Sequence, residues 1–406
     1  MSNTIKSLAD GDLVREYLAS FHNKLKFIKT INKQYDSRFA KEGAKNGGQL
    51  VIKNPNEYTV TTGAIMDTAD VTETTQTLTV ATQKHISAPP LTSVEMTMSV
   101  DDFRAMYVDP AMSRLAAQVE YDVMAGVYKD VFNLTGTPAT TPASLGAVLN
   151  ANARLSQGLA PESDRHIIMN SPAMAATVAG MATYFHKASE IERAFAEGYI
   201  GEAAGLKWWE SNMIPNHTNG ARDDTTPVTD TRAWANGDAT ITTTGQGGAE
   251  NYKAGDVFTV AGCYDVNLET KQAYSHLKQF VVRTDKTADG TDVLDVAPTI
   301  YISGPKQNVS LTTAASAAIV NVAAGGSGAA SAVYAQNLAY HRDAFTFVSA
   351  DLHMEPGQRM TRAVIEGVSM RMWKASDIIN DKHLCRIDVL YGFKTIRPEW
   401  AVRVRG

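Results

Sequence analysis

Few residues in this chain combine the type and the spacing that chemistry requires. His186 is followed four residues later by Glu190, which is the spacing of a general base with its carboxylate partner and also of an ordinary surface pair on a helix. Asp223 and Asp224 offer the oxygen ligands that a cation needs, although adjacent carboxylates in a polar loop are usually solvated. A structural interpretation therefore explains each candidate better than chemistry does.

The remaining motifs fail on spacing. Cys263 and Cys385 lie far apart, and no two histidines have ligand spacing, which excludes a zinc site. Residues 304–306 (Gly-Pro-Lys) lack the upstream glycine and the following Ser or Thr of a phosphate-binding loop. Residues 208–209 (Trp-Trp) are typical of packing at the end of a strand. The sequence therefore predicts no catalytic, cofactor-binding or metal-binding residues, and it predicts no cofactor.

The composition is that of a globular protein with more than one domain. The chain has 406 residues, of which 44% are hydrophobic, enough for about two or three domains. The net charge of −5 gives no overall signature of nucleic-acid binding. Two cysteines are too few for a disulfide framework and fit a reducing compartment. No secretory signal is found, and the most apolar stretch, 311–335, is broken by glycines, so no membrane partner is expected.

The first 45 residues form a zone of their own. Apolar residues at helical spacing precede and enter the segment 22–45. This segment has seven Lys or Arg residues and two acidic residues, which gives a local charge of +5. This pattern predicts an amphipathic arm that presents a solvated face, docks on a partner helix or contacts a nucleic-acid backbone. The candidate contact residues are Lys24, Lys26, Lys29, Lys33 and Arg38.

Residues 46–97 predict a long β-hairpin. Strand-like stretches at 49–53 and 77–82 flank an acidic, Thr-rich middle at 54–76. A hairpin of this length is marginally stable alone, so we expect it to lie on a neighbouring subunit. Its candidate intersubunit contacts are Glu57, Asp67, Asp70 and Glu73.

The longest predicted helix lies at 101–131. Asp109 is placed to cap a helix start, with Pro110 at the first helical position. Apolar residues fall four apart along one face, and others widen the stripe. The stripe consists of Phe103, Tyr107, Leu115, Val119, Val123 and Val127, with Met112, Ala116 and Met124 beside it. Such a helix needs a long surface to cover.

The rest of the chain predicts an α/β core interrupted by a β-rich insert. Residues 143–215, with a last helix near 188–198, and the stretch from His341 onward carry the patterns of one domain, which ends in a hairpin over 367–392. Between them, 221–333 has many turn signals, which favours a small barrel or sandwich whose two ends lie close together. Strands are predicted there at 256–261, 278–283, 292–296 and 299–303, with Val257, Val260, Phe280 and Val282 in the core.

Several stretches resemble the coat proteins of short-tailed double-stranded DNA phages, which share the Hong-Kong-type capsid fold. The insert segment 254–283, AGDVFTVAGCYDVNLETKQAYSHLKQFVVR, and YHRDAFTFVSADL at 340–352 are similar to that branch. In the core, IIMNSPAMAATVAG at 167–180 followed by GLKWWESNMIP at 205–215 is similar to a pairing that recurs in these proteins. The closing CRIDVLYGFKTIRPEWAVRV at 385–404 resembles their C-terminal strands.

This resemblance covers nearly the whole chain and implies an α+β fold, that of the tailed-phage major capsid proteins with an inserted β-barrel-like domain. The implied parts are an N-terminal arm at 1–45, an extended hairpin loop at 46–97, a spine helix of the peripheral domain at 98–135, a first part of the axial domain at 136–220, the inserted β-rich domain at 221–340, and a second axial and peripheral part with a long β-hairpin at 341–406.

The resemblance also implies a structural role. The protein would be the major capsid protein of a virion, assembled in the host cytoplasm into an icosahedral shell of pentamers and hexamers. Its implied partners are further copies of the chain, a scaffolding protein, a portal and packaged double-stranded DNA bound without sequence specificity. The basic arm would face the scaffold and later the DNA. Two alternatives stay open, namely an encapsulin-like nanocompartment shell protein and an unrelated enzyme.

Overall fold

The computed structural model of this chain describes most of the core elements. The described residues are 18–19, 21, 25–33, 49–58, 60, 62–64, 73–92, 109–136, 140–181, 201–221, 229–230, 234–244, 251–287, 290–312, 317–320, 333–355, 357–365, 367–377, 379–380 and 382–405.

Strands outnumber helices among these residues. The helices are α1 (Phe27–Thr30), α2 (Asp109–Val127), α3 (Leu145–Gln157) and α4 (Ser171–Met181), with 3-10 turns at Tyr128–Asp130, Arg342–Ala344 and Pro398–Trp400. The strands before the insert are β1 (Gln49–Lys53), β2 (Thr75–Thr79), β3 (Thr82–Thr92), β4 (Leu134–Thr135), β5 (Arg165–Met169), β6 (Glu202–Ala203), β7 (Leu206–Glu210) and β8 (Asn216–Thr218). Those of the insert are β9 (Thr229–Asp230), β10 (Asp238–Thr244), β11 (Asn251–Tyr252), β12 (Val257–Val266), β13 (Ala273–Val282), β14 (Lys286–Thr287), β15 (Thr291–Ile300), β16 (Val309–Leu311) and β17 (Ala317–Val320). Those after it are β18 (Val333–Ala335), β19 (Asn337–His341), β20 (Phe345–Ala350), β21 (Arg359–Ile365), β22 (Val368–Asp377), β23 (Lys382–Thr395) and β24 (Ala401–Val404).

These residues divide into two compact units. The first lies within Met1–Lys53, Thr75–Val123 and Phe345–Lys394, and the second within Asn54–Thr74, Met124–Ala344 and Thr395–Gly406. The predicted insert and the predicted axial core thus belong to one unit.

The first unit is built on a sheet with the strand order β20-β23-β22-β21, in which β3 also pairs with β23. The predicted hairpin over 367–392 is present as the antiparallel pair β22 and β23. The hairpin predicted at 46–97 is present only in part, because β1 pairs with β2 but the next strand, β3, joins the sheet. Leu50, Ile52 and Leu78 are buried, so the base of this hairpin is already supported within its own subunit.

Helix α2 carries the predicted apolar stripe. It is 19 residues long, and Leu115, Val119 and Val123 are buried along it. The prediction continued the helix to Val131, but after Val127 the backbone tightens into the 3-10 turn at Tyr128–Asp130 and becomes extended at Val131. Positions 101–108, and the helix predicted at 188–198, lie outside the described residues.

The core of the second unit is a six-stranded mixed sheet with the order β4-β24-β19-β5-β7-β6. All five residues of β5 are buried, as expected for a strand that is covered on both faces. Ser144 caps α3 by accepting a hydrogen bond from the backbone N–H of Ala147 at 3.3 Å. Val148 and Leu155 of this helix pack on the sheet.

The insert is a closed β-barrel. Six strands pair in the ring β13-β15-β10-β9-β17-β12, β12 pairs back with β13, and β16 is added beside β12. The strand predicted at 292–296 lies within β15, which ends at Ile300 and so takes in only the first two residues of the strand predicted at 299–303. The register of β15 against β10 shifts between Asp238 and Thr240, and Pro298 falls within this bulge. A proline has no backbone N–H and is tolerated at a bulge, so it does not end the strand.

The two ends of the barrel lie side by side, as predicted. Strand β8 precedes the barrel and pairs antiparallel with β18, which follows it. Gln336 extends this pairing, because its backbone N–H donates to the carbonyl of Pro215 at 3.0 Å. The insert boundary predicted at residue 340 reaches past the barrel, since β19 is a central strand of the core sheet.

Candidate functional site

The structure describes two of the four carboxylates that were predicted to make intersubunit contacts from the hairpin. Glu57 and Glu73 are exposed, whereas Asp67 and Asp70 lie outside the described residues. Burial lowers the pKa of Lys271, and attraction to Glu57 opposes that shift. Glu57 therefore has a basic neighbour in its own chain, and its contact with an adjacent subunit stays a prediction.

The arm residues that the structure describes are packed into the first unit. Phe27, Ile28 and Ile31 are buried. The buried carboxylate of Glu120 accepts hydrogen bonds from the backbone N–H groups of Lys26 at 2.7 Å and of Phe27 at 3.1 Å. The candidate contact residues Lys26 and Lys29 are exposed and Lys33 is half-buried, while Lys24 and Arg38 lie outside the described residues. This stretch thus combines an anchored apolar side with outward-facing lysines.

The other chemical candidates do not form a site in the described part of the chain. His186, Glu190, Asp223 and Asp224 lie outside it. The tryptophan pair at 208–209 serves packing, since its first member is buried in the core cluster. Among the described residues, no group of three His, Cys, Asp or Glu side chains is placed to hold a metal ion. None of the helices described there is long and apolar enough to span a membrane.

The structure instead gathers polar side chains where the barrel joins the core. We call this group the neck cluster, and it consists of Tyr128, His217, Asp256, Tyr334, Arg403 and Arg405. Strands β8 and β18 supply the histidine and the second tyrosine, and the residue just before β12 is the aspartate. Strand β24 and the residue after it supply the arginines.

Asp256 is the centre of the neck cluster. Its carboxylate accepts hydrogen bonds from Nε2 of His217 at 2.8 Å and from the backbone N–H groups of Gly220 at 3.1 Å and Lys253 at 2.9 Å. The other ring nitrogen of His217, Nδ1, lies 3.2 Å from the hydroxyl of Tyr128. Since Nε2 donates to the carboxylate, the tyrosine hydroxyl donates to Nδ1 of the neutral ring. One buried carboxylate thus connects the 3-10 turn at Tyr128–Asp130, through His217, to the two chain segments that meet at the base of the barrel.

Arg403 brings a buried positive charge to the same place. Its Nη1 donates to the carbonyl of Gly255 at 2.6 Å, and its guanidinium lies 5.3 Å from the centroid of the Tyr128 ring. Burial and the neighbouring Arg405 lower the pKa of Arg403 to about 10, so it remains a cation at neutral pH. Burial, together with the charges of Arg403 and Arg405, lowers the pKa of His217. Asp256 supplies the negative charge that offsets this arrangement.

Two glycines let the backbone pass close to the neck cluster, in the region that we call the neck, where the barrel joins the core. Gly255 has a φ of +107°, and a Cβ there would lie 3.0 Å from Cε1 of His217. A Cβ on Gly220 would lie 2.1 Å from the carbonyl oxygen of Asn251. Neither position tolerates a side chain without movement of the neck, so the glycines fix the barrel close to the core.

A second contact, the seam, lies on the outer face of the barrel. Val257, Val281 and Ala297 pack with Phe132 and Leu134 of the core. Beside them, the Gln279 side chain accepts from the backbone N–H of Leu134 at 2.7 Å and donates to its carbonyl at 2.9 Å. Val257 is therefore buried as predicted, but it faces the core domain and not the barrel interior, where Val260, Phe280 and Val282 lie.

A third contact, the charged joint, lies at the far end of β12. Within the barrel, the carboxylate of Asp265 accepts a hydrogen bond from Nζ of Lys278 at 2.8 Å and lies 3.3 Å from Nε2 of His276. Across the joint, Nη1 of Arg154 on α3 lies 3.6 Å from the same carboxylate and contacts His276. Burial opposes ionisation of Asp265, but the charges of Lys278 and Arg154 and the hydrogen bond from His276 outweigh it and hold its pKa well below the usual range.

The sequence carries only weak signals for these contacts. Asp256 follows a glycine at a strand start, as many solvated turn residues do. Arg403 and Arg405 alternate with valine in a segment that is otherwise apolar, which marks them as unusual but does not say what they contact. Apart from the backbone N–H of Lys253, which is close to Asp256 in the sequence, the partners of these three residues come from distant parts of the chain.

The comparison with protein families agrees with the sequence resemblance. A family model described as "P22 coat protein - gene protein 5" matches residues 10–406. A solved chain from Mycobacterium phage Che8 has a TM-score of 0.49 at 12% identity, covering 93% of this chain and 90% of that chain. The capsid of cyanophage P-SCSP1u gives 0.42 at 12%, covering 88% and 83%, and the mature capsid of bacteriophage PhiM1 gives 0.42 at 11%, covering 88% and 82%. No curated protein matches the chain.

Proposed function

This chain belongs to the P22 coat protein family, and from that membership we infer its role in a phage particle. It is a major capsid protein, a structural component of the virion rather than an enzyme, and its copies form the shell. The observation that carries this conclusion is the family match over residues 10–406, which includes both units and the barrel. The fold class expected from the sequence, an α+β capsid fold with an inserted barrel, is confirmed.

The finer assembly is our proposal. We propose an icosahedral shell of pentamers and hexamers, assembled in the host cytoplasm around a scaffolding protein, joined to a portal and later filled with double-stranded DNA. The exposed Lys26 and Lys29 beside an anchored apolar stretch support an interior arm that contacts the scaffold and then the DNA. Contacts between lysines and phosphates carry no sequence information, so the DNA would be held without sequence specificity.

Expression of the chain with its scaffolding protein tests this proposal. Electron microscopy and sedimentation should show closed, uniform shells, and the scaffold should be found inside them. Expression without scaffold is the control, in which we expect aberrant shells or free subunits. Only monomers and dimers in the presence of scaffold would contradict the assembly proposal.

The extended hairpin gives a more specific prediction. Reversing the two described carboxylates, Glu57→Lys with Glu73→Lys, should reduce the yield of shells while the melting temperature of the free subunit stays nearly unchanged. The reason is that both side chains are exposed, and exposed ion pairs contribute only about 0–1 kcal/mol each but are repeated in every subunit of a shell. Glu162→Lys, on an exposed turn of the core, is the matched control. Shell yields equal to the control would show that the hairpin charges have no role in assembly.

We further propose that the barrel folds as an independent domain. The closed ring and its own apolar core support this, and a domain of this size buries enough surface to stand alone. Residues 221–333 expressed alone should give dispersed β-type amide signals in a proton–nitrogen correlation spectrum and a cooperative melt. Because the fragment exposes the seam residues Val257, Val281 and Ala297, we expect it to be less soluble than its Val281→Thr variant. A random-coil spectrum from both fragments would overturn the proposal.

A further inference from the structure

The neck cluster and the charged joint lie at opposite ends of one strand. Asp256 immediately precedes β12, and Asp265 is its penultimate residue. Strand β12 bulges between Thr259 and Tyr264, so its length is better measured along β13, where Val281 lies opposite Val257 and Leu277 lies opposite Tyr264. The four residue steps from Val281 to Leu277 span about 13 Å at 3.3 Å per residue. The barrel is therefore held to the core at two separate places.

The neck end is built to stay closed. His217 and Asp256 have side chains that are 3% and 1% exposed, and the seam packs directly beside them. Breaking any contact there would leave a buried polar group without its partner, which costs more than the contact itself contributes. The neck cannot open unless the barrel strands also separate from the core.

The joint end is built differently. Arg154 and Asp265 have side chains that are 15% and 14% exposed, and their closest atoms are 3.6 Å apart. When Arg154 moves away, Asp265 keeps Lys278 at 2.8 Å as its counter-ion inside the barrel. Opening this end therefore leaves no charge on the barrel without a counter-ion, and it exposes the guanidinium of Arg154 to water, which can solvate it.

The space between the two ends is not fully packed. A cavity of about 20 Å³ lies beside the joint, lined by Asn133, Arg154, Gln157, Lys278 and Glu399 among others. The lining mixes polar and apolar side chains, and a space of this size is large enough for about one water molecule. The apolar seam thus gives way to a partly polar gap toward the joint.

We propose that the barrel is hinged on the core, with the neck cluster as a fixed pivot and the Arg154–Asp265 joint as a releasable latch. With the latch closed, the barrel has one orientation. With the latch open, it tilts about the neck without unfolding. For a chain that occupies non-equivalent positions in one shell, such a tilt lets the barrel fit different neighbours, and this last consequence rests on the proposed function.

Distances between spin labels on the unassembled full-length subunit test the hinge. One label is placed on the core at Ser163→Cys. The second label is placed on the barrel, either at Thr270→Cys, toward the joint, or at Thr287→Cys, which pairs with Asn251 of β11 near the neck. All three residues are exposed. Cys385→Ser removes the accessible native thiol, whereas Cys263 is buried. The test variant is Arg154→Met, and Lys207→Met, which removes the exposed ion pair to Asp164, is the matched control.

In Arg154→Met we expect the label pair at 163 and 270, the joint-side pair, to show about five times more of the population at longer distance than the wild type does. This factor corresponds to roughly 1 kcal/mol, the contribution of a partly exposed ion pair. The neck-side pair should not change, and Arg154→Lys should restore most of the closed population. Salt offers a test without substitution, since at about 1 M the screening length is about 3 Å, and the wild type should shift in the same direction.

Two results would overturn the hinge. If both label pairs broaden, the barrel detaches as a whole and the neck is not a pivot. If neither pair changes, in the variant and at high salt, the joint does not hold the barrel. Both results concern the free subunit, so they are distinguishable from a failure of the shell proposal, which is tested by assembly.

Discussion

Replacing Asp256 with alanine is expected to lower the free energy of unfolding of the second unit by about 3–5 kcal/mol, because several buried donors lose their acceptor and each unsatisfied donor costs about 1–3 kcal/mol. The carboxylate is the shared acceptor for His217, Gly220 and Lys253. Its loss also removes the negative charge that attracts the buried Arg403. Urea unfolding of the free subunit, followed by tryptophan fluorescence, measures the change.

Asp285 provides a matched control for this substitution. It lies on the same neck, accepts the backbone N–H of Ala254 at 2.8 Å and pairs with Lys253 at 3.0 Å, but its side chain is 59% exposed. Asp285→Ala should therefore cost less than about 1 kcal/mol. Asp256→Asn, which keeps an acceptor oxygen but loses the charge, should fall between the two. Equal effects of Asp256→Ala and Asp285→Ala would show that the neck cluster does not hold the barrel in the way described.

Mild acid is expected to destabilise the second unit as its buried histidines become protonated. Burial and the charge of Lys207 lower the pKa of His166 to about 4 from 6.5, and burial also lowers the pKa values of His217 and His341. The unfolded chain takes up these protons near pH 6.5 and the folded chain only at lower pH. Stability is therefore fully present above pH 6.5 and is lost as the pH falls toward 4. His166 alone contributes roughly 3 kcal/mol at about 1.4 kcal/mol per pKa unit.

The measurement is the urea midpoint of the free subunit at several pH values between 7 and 4. In His166→Gln, the loss of stability between pH 7 and 4 should be clearly smaller than in the wild type. Glutamine is chosen because its side-chain oxygen can accept the indole N–H that Trp209 donates to Nδ1 of His166 at 3.1 Å. His353→Gln is the control, because that side chain is 81% exposed, and it should keep the wild-type slope. An unchanged slope in His166→Gln would mean that the buried imidazole does not account for the acid sensitivity.

Much of the fold follows from local patterns. Period-2 alternation located the hairpin of β22 and β23, and period-3.6 spacing located α2 with its buried stripe, because each pattern describes one element against one buried face. The closeness of the insert's ends followed from a topological argument, and the pairing of β8 with β18 bears it out. The boundaries were less well predicted, as with the helix end at Val127 and the single strand β15, since those depend on partners elsewhere in the chain.

The contacts that fix the barrel could not be predicted in this way. Asp256 has the appearance of a turn residue, and only the tertiary structure places His217 and Arg403 around it. Val257 was rightly predicted to be buried, but the alternation of β12 leaves open whether a residue faces the barrel or the core when both faces are covered.

The sequence by itself determined what kind of protein this is: a capsid protein with an inserted β-domain, because the order of elements and the quoted segments are carried by the chain and need no partner to be recognised. The tertiary structure alone decided how the insert is held. A buried charge is stable only when distant residues supply its counter-charge and hydrogen bonds, and those pairings across the chain leave no local periodic trace.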